Sequence, residues 1–212
     1  MMTLPRTFKD GTRVLQPKKA VNLAARHTGR YGKWACVALG FNHAYASDSF
    51  HGVVLHTYPV PDHEQGLYRA SSLQRVNKGK APPLLESIPL HPEKRVNLPM
   101  WWIRRYVNPT LAVLNKNSTA SLEIRGTHAC MHLTEGSGKM LSKVVCLEVP
   151  DGVATLDSHF RCRFNIEYLH RIVETLDFHD ASEVELQRED SEDAPLLIEG
   201  PRGYALIMPM RV

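Results

Sequence analysis

Phe160-Arg-Cys-Arg-Phe-Asn-Ile-Glu-Tyr-Leu-His-Arg-Ile-Val-Glu-Thr-Leu176 carries the change of period that decides the fold. From Phe160 to Phe164 apolar and basic residues alternate, the two-residue period of a strand with one buried face. Asn165 ends the alternation, and its short side chain suits the N-cap of a helix. From Ile166 to Leu176 the apolar residues fall three and four apart, and Glu167, His170, Arg171 and Glu174 form the polar side. A strand that feeds straight into a helix points to an α+β unit rather than an all-β or all-α one.

Working outward, strand-like runs follow at Glu183–Gln187, Leu196–Glu199 and Tyr204–Met208, with the acidic segment Glu189–Asp193 as a solvated hairpin tip. Upstream lie strands at Ser121–Arg125, Ala129–Leu133 and Val144–Val149, and a helix over Met100–Val107 that Pro109 should end. The first half reads as a fainter copy. It has a helix over Pro17–His27, strands at Trp34–Leu39, His43–Ala46, Val53–Tyr58 and Gly66–Arg69, a helix over Ser71–Lys78 and a strand over Leu84–Leu90. The segment His91–Asn97 marks the expected boundary, giving domains 1–96 and 97–212. Only about 20 residues separate the second and third helices, too few for a full set of strands. The first domain is therefore expected to be trimmed. The predicted architecture is α+β: two domains, each with short helices packed on curved antiparallel sheets.

Composition narrows the class. At 212 residues with 43% hydrophobic and 23% charged residues, the chain can bury a core without covalent staples. No apolar run approaches the ~20 residues of a membrane span, and the first ten residues hold no apolar segment suited to secretion. A cytoplasmic location is expected. Four scattered cysteines (Cys36, Cys130, Cys146, Cys162) without a CxxC pair fit reduced thiols. A net charge of +4 permits a polyanionic partner without requiring one.

The placement of the charges says more. On the first predicted helix Lys18, Lys19, Asn22 and Arg26 fall on one side, and Ala20, Leu23, Ala24 and His27 on the other, with Val21 at its edge. Arg75 and Lys78 on the second helix and Arg104 and Arg105 on the third repeat the basic sign. Each cluster alone is more often a solvated face than a DNA contact; three of the four helices agreeing in sign point toward phosphate, the fourth being mixed. His128, Cys130 and His132 alternate on one strand, with Cys146 on a neighbouring one, but their spacing is not that of a common zinc finger. A small metal-dependent enzyme built on them is the third reading. His159 and Cys162 lack an orienting third group, and no phosphate-binding glycine loop occurs. No catalytic site, metal or cofactor is expected. Of the adjacent Trp101 and Trp102, one should pack in the core and the other lie near an interface.

Two segments carry a family resemblance. The tail Tyr204-Ala-Leu-Ile-Met-Pro-Met-Arg-Val212 resembles that of bacterial beta sliding clamps, and Phe164-Asn-Ile-Glu-Tyr-Leu and Val184-Glu-Leu sit where the last clamp domain has a similar helix and strand. Tyr45-Ala-Ser-Asp-Ser-Phe-His-Gly-Val-Val54 is similar to the Ala-Thr-Asp-Gly-His-Arg-Leu stretch of the middle domain, with Ala46 and Asp48 identical. Order and spacing agree with a chain that has the middle and last clamp domains and lacks the first.

The resemblance implies a non-enzymatic DNA processivity factor that encircles or cradles duplex DNA and tethers polymerases or repair enzymes through a peptide groove. Ser47, Ser49, Phe50, His51 and Gly52 would form one wall of that groove. Leu206, Ile207, Met208, Pro209, Met210 and Arg211 would form the other. Methionines suit a site that accepts several peptides, because the thioether repacks easily. Lys18, Lys19, Arg26, Arg75, Lys78, Arg104 and Arg105 would face DNA phosphates without reading sequence. Clamp rings hold about six such domains, so the resemblance implies a homotrimer if the ring closes, with a clamp loader as a further partner. The alternative is a clamp-derived adaptor or inhibitor that binds clamp partners without encircling DNA.

Overall fold

The structure is a computed structural model. It describes residues 36–48, 50–57, 59–69, 74–76, 84, 88, 92–114, 118–125, 128–135, 140–148, 160–178, 180–191 and 193–210. The predicted helix over Pro17–His27, with Lys18, Lys19 and Arg26, lies outside these residues, as do Ser49, Lys78 and Arg211. The described residues form an α+β fold of antiparallel sheets and short helices. They divide into two compact units: one reaches Ile88 and includes Pro201–Leu206, and the other comprises Pro89–Gly200 and Ile207 onward. The units divide at 88/89, and the segment His91–Asn97, read as the boundary, runs into the strand Lys94–Pro99.

In the first unit, strands β1 (Cys36–Leu39), β2 (His43–Ser47), β3 (His51–His56) and β4 (Gly66–Arg69) run in the order β4-β1-β2-β3, and β12 (Gly203–Ile207) lies beside β3. All four residues of β1 are buried. Val37 and Leu39 join Ala44, Ala46, Val60 and Tyr68 in one cluster, and Cys36 and Ala38 join Leu67 in another. An apolar run without alternation is what a strand covered on both faces requires. Gly203 approaches β3 so closely that an added Cβ would lie 2.0 Å from the Val54 carbonyl oxygen.

The expected helix over Ser71–Lys78 is not borne out where it can be seen. Residues 74–76 are extended along β4: the Arg69 amide donates to the Gln74 carbonyl at 2.9 Å, and the Val76 amide to that of Leu67 at 2.7 Å. Val76 packs against Cys36, Ala38 and Leu67, and this contact with a β-branched side chain outweighs the helical period of a short segment. Leu84 and Ile88, expected on a strand, are in non-strand backbone.

In the second unit, β5 (Lys94–Pro99), β10 (Glu183–Arg188) and β11 (Leu196–Gly200) pair antiparallel, with Leu186 opposite both Val96 and Ile198. A four-stranded sheet runs β8-β7-β6-β9, from β6 (Ser118–Arg125), β7 (His128–Glu135), β8 (Met140–Glu148) and β9 (Arg161–Asn165). Its apolar face, with Ala120, Leu122, Ile124, Ala129, Met131, Cys162 and Phe164 buried, is the alternation read from the sequence. Asn165 caps helix α2 (Ile166–Thr175): its Oδ1 accepts from the Glu167 amide at 2.9 Å, and Ile166, Leu169 and Ile172 are buried. The acidic tip after β10 is exposed at Glu189, Asp190, Ser191 and Asp193, as expected, and Asp190 pairs with Lys94 at 2.6 Å.

Pro109 does not end the preceding helix. The helical segment α1 spans 100–113 as an α turn (Met100–Trp102), a π turn (Ile103–Val107) and a second α stretch (Asn108–Val113). The Asn108 amide reaches back to the Ile103 carbonyl. This wider turn accommodates a proline that has no N–H and whose ring crowds the preceding turn. Thr110 Oγ1 also donates to the Tyr106 carbonyl at 2.6 Å.

Candidate functional site

The Ser47–Gly52 segment is the hairpin tip between β2 and β3, and Asp48 organises it. Asp48 Oδ1 accepts the amides of Phe50 (2.9 Å) and His51 (2.8 Å), and His51 Nδ1 lies 2.9 Å from the same oxygen. Ser47 Oγ donates to the His51 carbonyl at 2.9 Å. Asp48 and His51 are both buried. Burial pushes the Asp48 carboxyl up, but the hydrogen bond and charge of His51 and the two amides hold it below its ordinary range. A carboxylate that accepts two successive amides locks the tip, and the tip turns Phe50 outward at 60% exposed. Gly52 is buried where a Cβ would fall 2.2 Å from Leu84 Cδ1, so a larger residue would have to displace that side chain.

The tail behaves differently along its length. Leu206 and Ile207 are buried, Leu206 in the first unit and Ile207 in the second. β12 ends at Ile207, one residue earlier than expected and two before Pro209, whose missing N–H would leave a gap in the ladder. Met208 and Met210 are 41% and 42% exposed, and the Met210 amide donates to the Arg163 carbonyl on β9 at 2.7 Å. The expected wall thus comprises two core residues followed by two presented methionines.

Of the seven basic residues expected to face DNA, three are described. Arg104 and Arg105 are exposed on α1. Arg75 is exposed but committed to the backbone: Nη1 donates to the His63 carbonyl and Nη2 to that of Gln65, both at 2.8 Å. It braces the turn into β4 instead of extending from a helix.

His128, Cys130 and His132 share the polar face of the four-stranded sheet. Cross-strand from Cys130 stands Glu123, a buried carboxylate. His132 Nε2 lies 2.9 Å from Glu123 Oε2, Arg125 Nε bonds Oε1, and Arg161 Nε is 3.8 Å away. Burial raises the Glu123 carboxyl, but Arg125 and His132 bring it below its ordinary range. The His132 side chain serves a carboxylate that also meets Arg125 and Arg161, and no group of three metal-ligating residues is gathered among the described residues. Glu123 was missed from the sequence, although an acidic residue alternating with Ser121 and Arg125 on a strand was a visible signal.

These elements define a sliding-clamp fold. The chain shares the fold of bacterial DNA polymerase III beta sliding clamps, matched over 92% of its length. One such structure is the beta subunit of DNA polymerase from Streptococcus pyogenes (16% identity, TM-score 0.64, 64% of that chain covered). Others are the Helicobacter pylori beta clamp bound to a DNA ligase peptide (11% identity, TM-score 0.67, 62% covered) and the Bartonella birtlesii DnaN sliding clamp bound to griselimycin (12% identity, TM-score 0.68, 64% covered). The chain therefore spans less than two thirds of the length of these clamps. No protein-family model and no curated protein matches its sequence.

Proposed function

We propose that this chain is a non-enzymatic DNA sliding clamp that holds duplex DNA without sequence preference and tethers partner enzymes through a short-peptide groove. The fold match over 92% of the chain carries the reading. The exposed Met208 and Met210 beyond β12, and Phe50 presented by the Asp48-locked tip, support the groove assignment. The Helicobacter pylori clamp holds a DNA ligase peptide, so a polymerase or repair enzyme bearing a comparable extended segment is the proposed partner class here. Ser47, Ser49, Phe50, His51, Gly52 and residues Leu206–Arg211 are the proposed walls. Lys18, Lys19, Arg26, Lys78, Arg104 and Arg105 are the proposed phosphate contacts, with Arg75 in a bracing role. A homotrimer would assemble the six domains of a clamp ring, and a loader would then be needed to open it. No described helix is long and apolar enough to cross a membrane, and the proposed place of action is the cytoplasm.

The test is retention on circular DNA. A clamp ring stays on a nicked circle through high-salt washing and is lost when the circle is linearised. Loss from circle and linear DNA alike refutes encirclement.

A second reading is favoured by Arg75, which is committed to backbone carbonyls instead of being offered to phosphate: a clamp-derived adaptor that occupies partner peptides without enclosing DNA. A monomer that binds partner peptides but does not bind DNA would establish that reading.

A further inference from the structure

Trp101 and Trp102 are adjacent on α1 yet have opposite fates: Trp102 is fully buried and Trp101 is 51% exposed. Helical spacing puts Arg104 and Arg105, three and four residues on, beside Trp101, and both are exposed. Met100, Trp102, Ile103 and Val107 turn inward. The three outward residues put an indole and two cations on one exposed stretch of α1, with the arginines on the π turn Ile103–Val107. Arg105 is itself laid over the Tyr106 ring, 5.6 Å from its centroid, which restrains its stem and leaves a flat guanidinium at the surface.

Charge selects the partner. The segment 100–113 contains no Asp or Glu. The acidic residues of α2, which packs against α1, are engaged on their own helix: Glu167 with Arg171, and Glu174 3.5 Å from His170. His170 Nδ1 in turn meets Asn108 Oδ1 at 2.9 Å. A polyanion is the complementary occupant. Phosphates alone would use the arginines and leave the indole idle, because bases within a duplex are stacked on each other. An unstacked base offers a π face, and aromatic plates with cationic flanks are how proteins hold single strands without reading sequence.

We propose that Trp101, Arg104 and Arg105 form a stacking site for single-stranded DNA, so that the clamp grips the unpaired strand beside a duplex as well as the duplex itself. This rests on the reading of the chain as a DNA-binding clamp, which brings α1 to DNA. Trp101 stacks on a base, and the arginines neutralise the phosphates on either side of it.

The experiment uses the full chain with fluorescent oligo(dT) and a blunt duplex of equal length, comparing wild type with Trp101→Ala, Trp101→Phe and the Arg104→Ala/Arg105→Ala double variant. Expected is a loss of about tenfold in oligo(dT) affinity for Trp101→Ala, with partial retention for Trp101→Phe and duplex affinity unchanged. The double arginine variant should weaken both probes. Trp101→Phe tests the site even where alanine disturbs folding, since a phenyl ring still packs and still stacks. Unchanged oligo(dT) binding in Trp101→Ala, or an equal loss on both probes, overturns the stacking site while leaving the clamp reading intact. A fall in oligomeric mass in that variant, with oligo(dT) binding unaltered, assigns Trp101 to a protein interface and also overturns it. If wild type does not bind oligo(dT), the stacking site is overturned, and retention on the nicked circle decides the clamp reading separately.

Discussion

The Met210 amide donates to the Arg163 carbonyl at 2.7 Å, three residues beyond the last residue of β12. One backbone bond to β9 therefore fixes where the tail runs after Pro209, while the thioethers of Met208 and Met210 stay at the surface. A side chain can be removed here without disturbing what positions it.

Met210→Ala should fold as wild type and bind a clamp-type peptide more weakly, by about 1.5 kcal/mol if the methionine is well covered. Deleting 208–212 should cost more, since it removes both methionines and the bond to Arg163. Peptide titration by fluorescence anisotropy measures both. Undiminished affinity in the truncated chain would show that the tail is not a wall of the groove.

At the other proposed wall, the depressed Asp48 carboxyl makes stability depend on acid. A group whose folded pKa lies below its unfolded value, near 3.9, stabilises above that value and loses its contribution as pH falls through the folded one. Asp48→Asn keeps an acceptor for the Phe50 and His51 amides but loses the charge facing His51. It should cost about 1–3 kcal/mol near neutrality and less in acid. Urea midpoints of both proteins at neutral pH and below pH 4 give the difference; a gap that widens in acid would contradict the sign.

Gly203 has φ +150°, and an added Cβ would meet backbone at 2.0 Å rather than a movable side chain. Gly203→Ala should destabilise by about 2 kcal/mol or more, from strain and from separation of β12 and β3. A thermal melt within a degree of wild type would show that the close approach is not required.

Non-specific duplex binding should fall steeply with salt, each phosphate contact contributing about 0.9 to the log–log slope. Replacing Lys18, Lys19 and Arg26 by alanine should flatten that slope, and Arg104→Ala/Arg105→Ala should flatten it independently. A strong preference for one DNA sequence would count against a phosphate-lined channel. Sedimentation of the 24.0 kDa chain at three times its mass would support ring closure.

What the sequence determined alone is short in range. Alternation over Phe160–Phe164, the Asn165 cap and the apolar side of α2 each follow from a few consecutive residues, because strand period, helix period and capping are local geometry. The α+β class and the tail motif were legible for the same reason. Other features needed the tertiary structure. Val76 is extended because Cys36, Ala38 and Leu67 lie next to it, and α1 passes Pro109 because a π turn absorbs the missing donor. Arg75 is drawn to the carbonyls of His63 and Gln65, and Glu123 is buried among basic side chains from three strands. Which of Trp101 and Trp102 faces outward likewise depended on what packs against α1. Desolvation and cross-strand pairing are set by partners distant in the chain, and no local pattern names those partners.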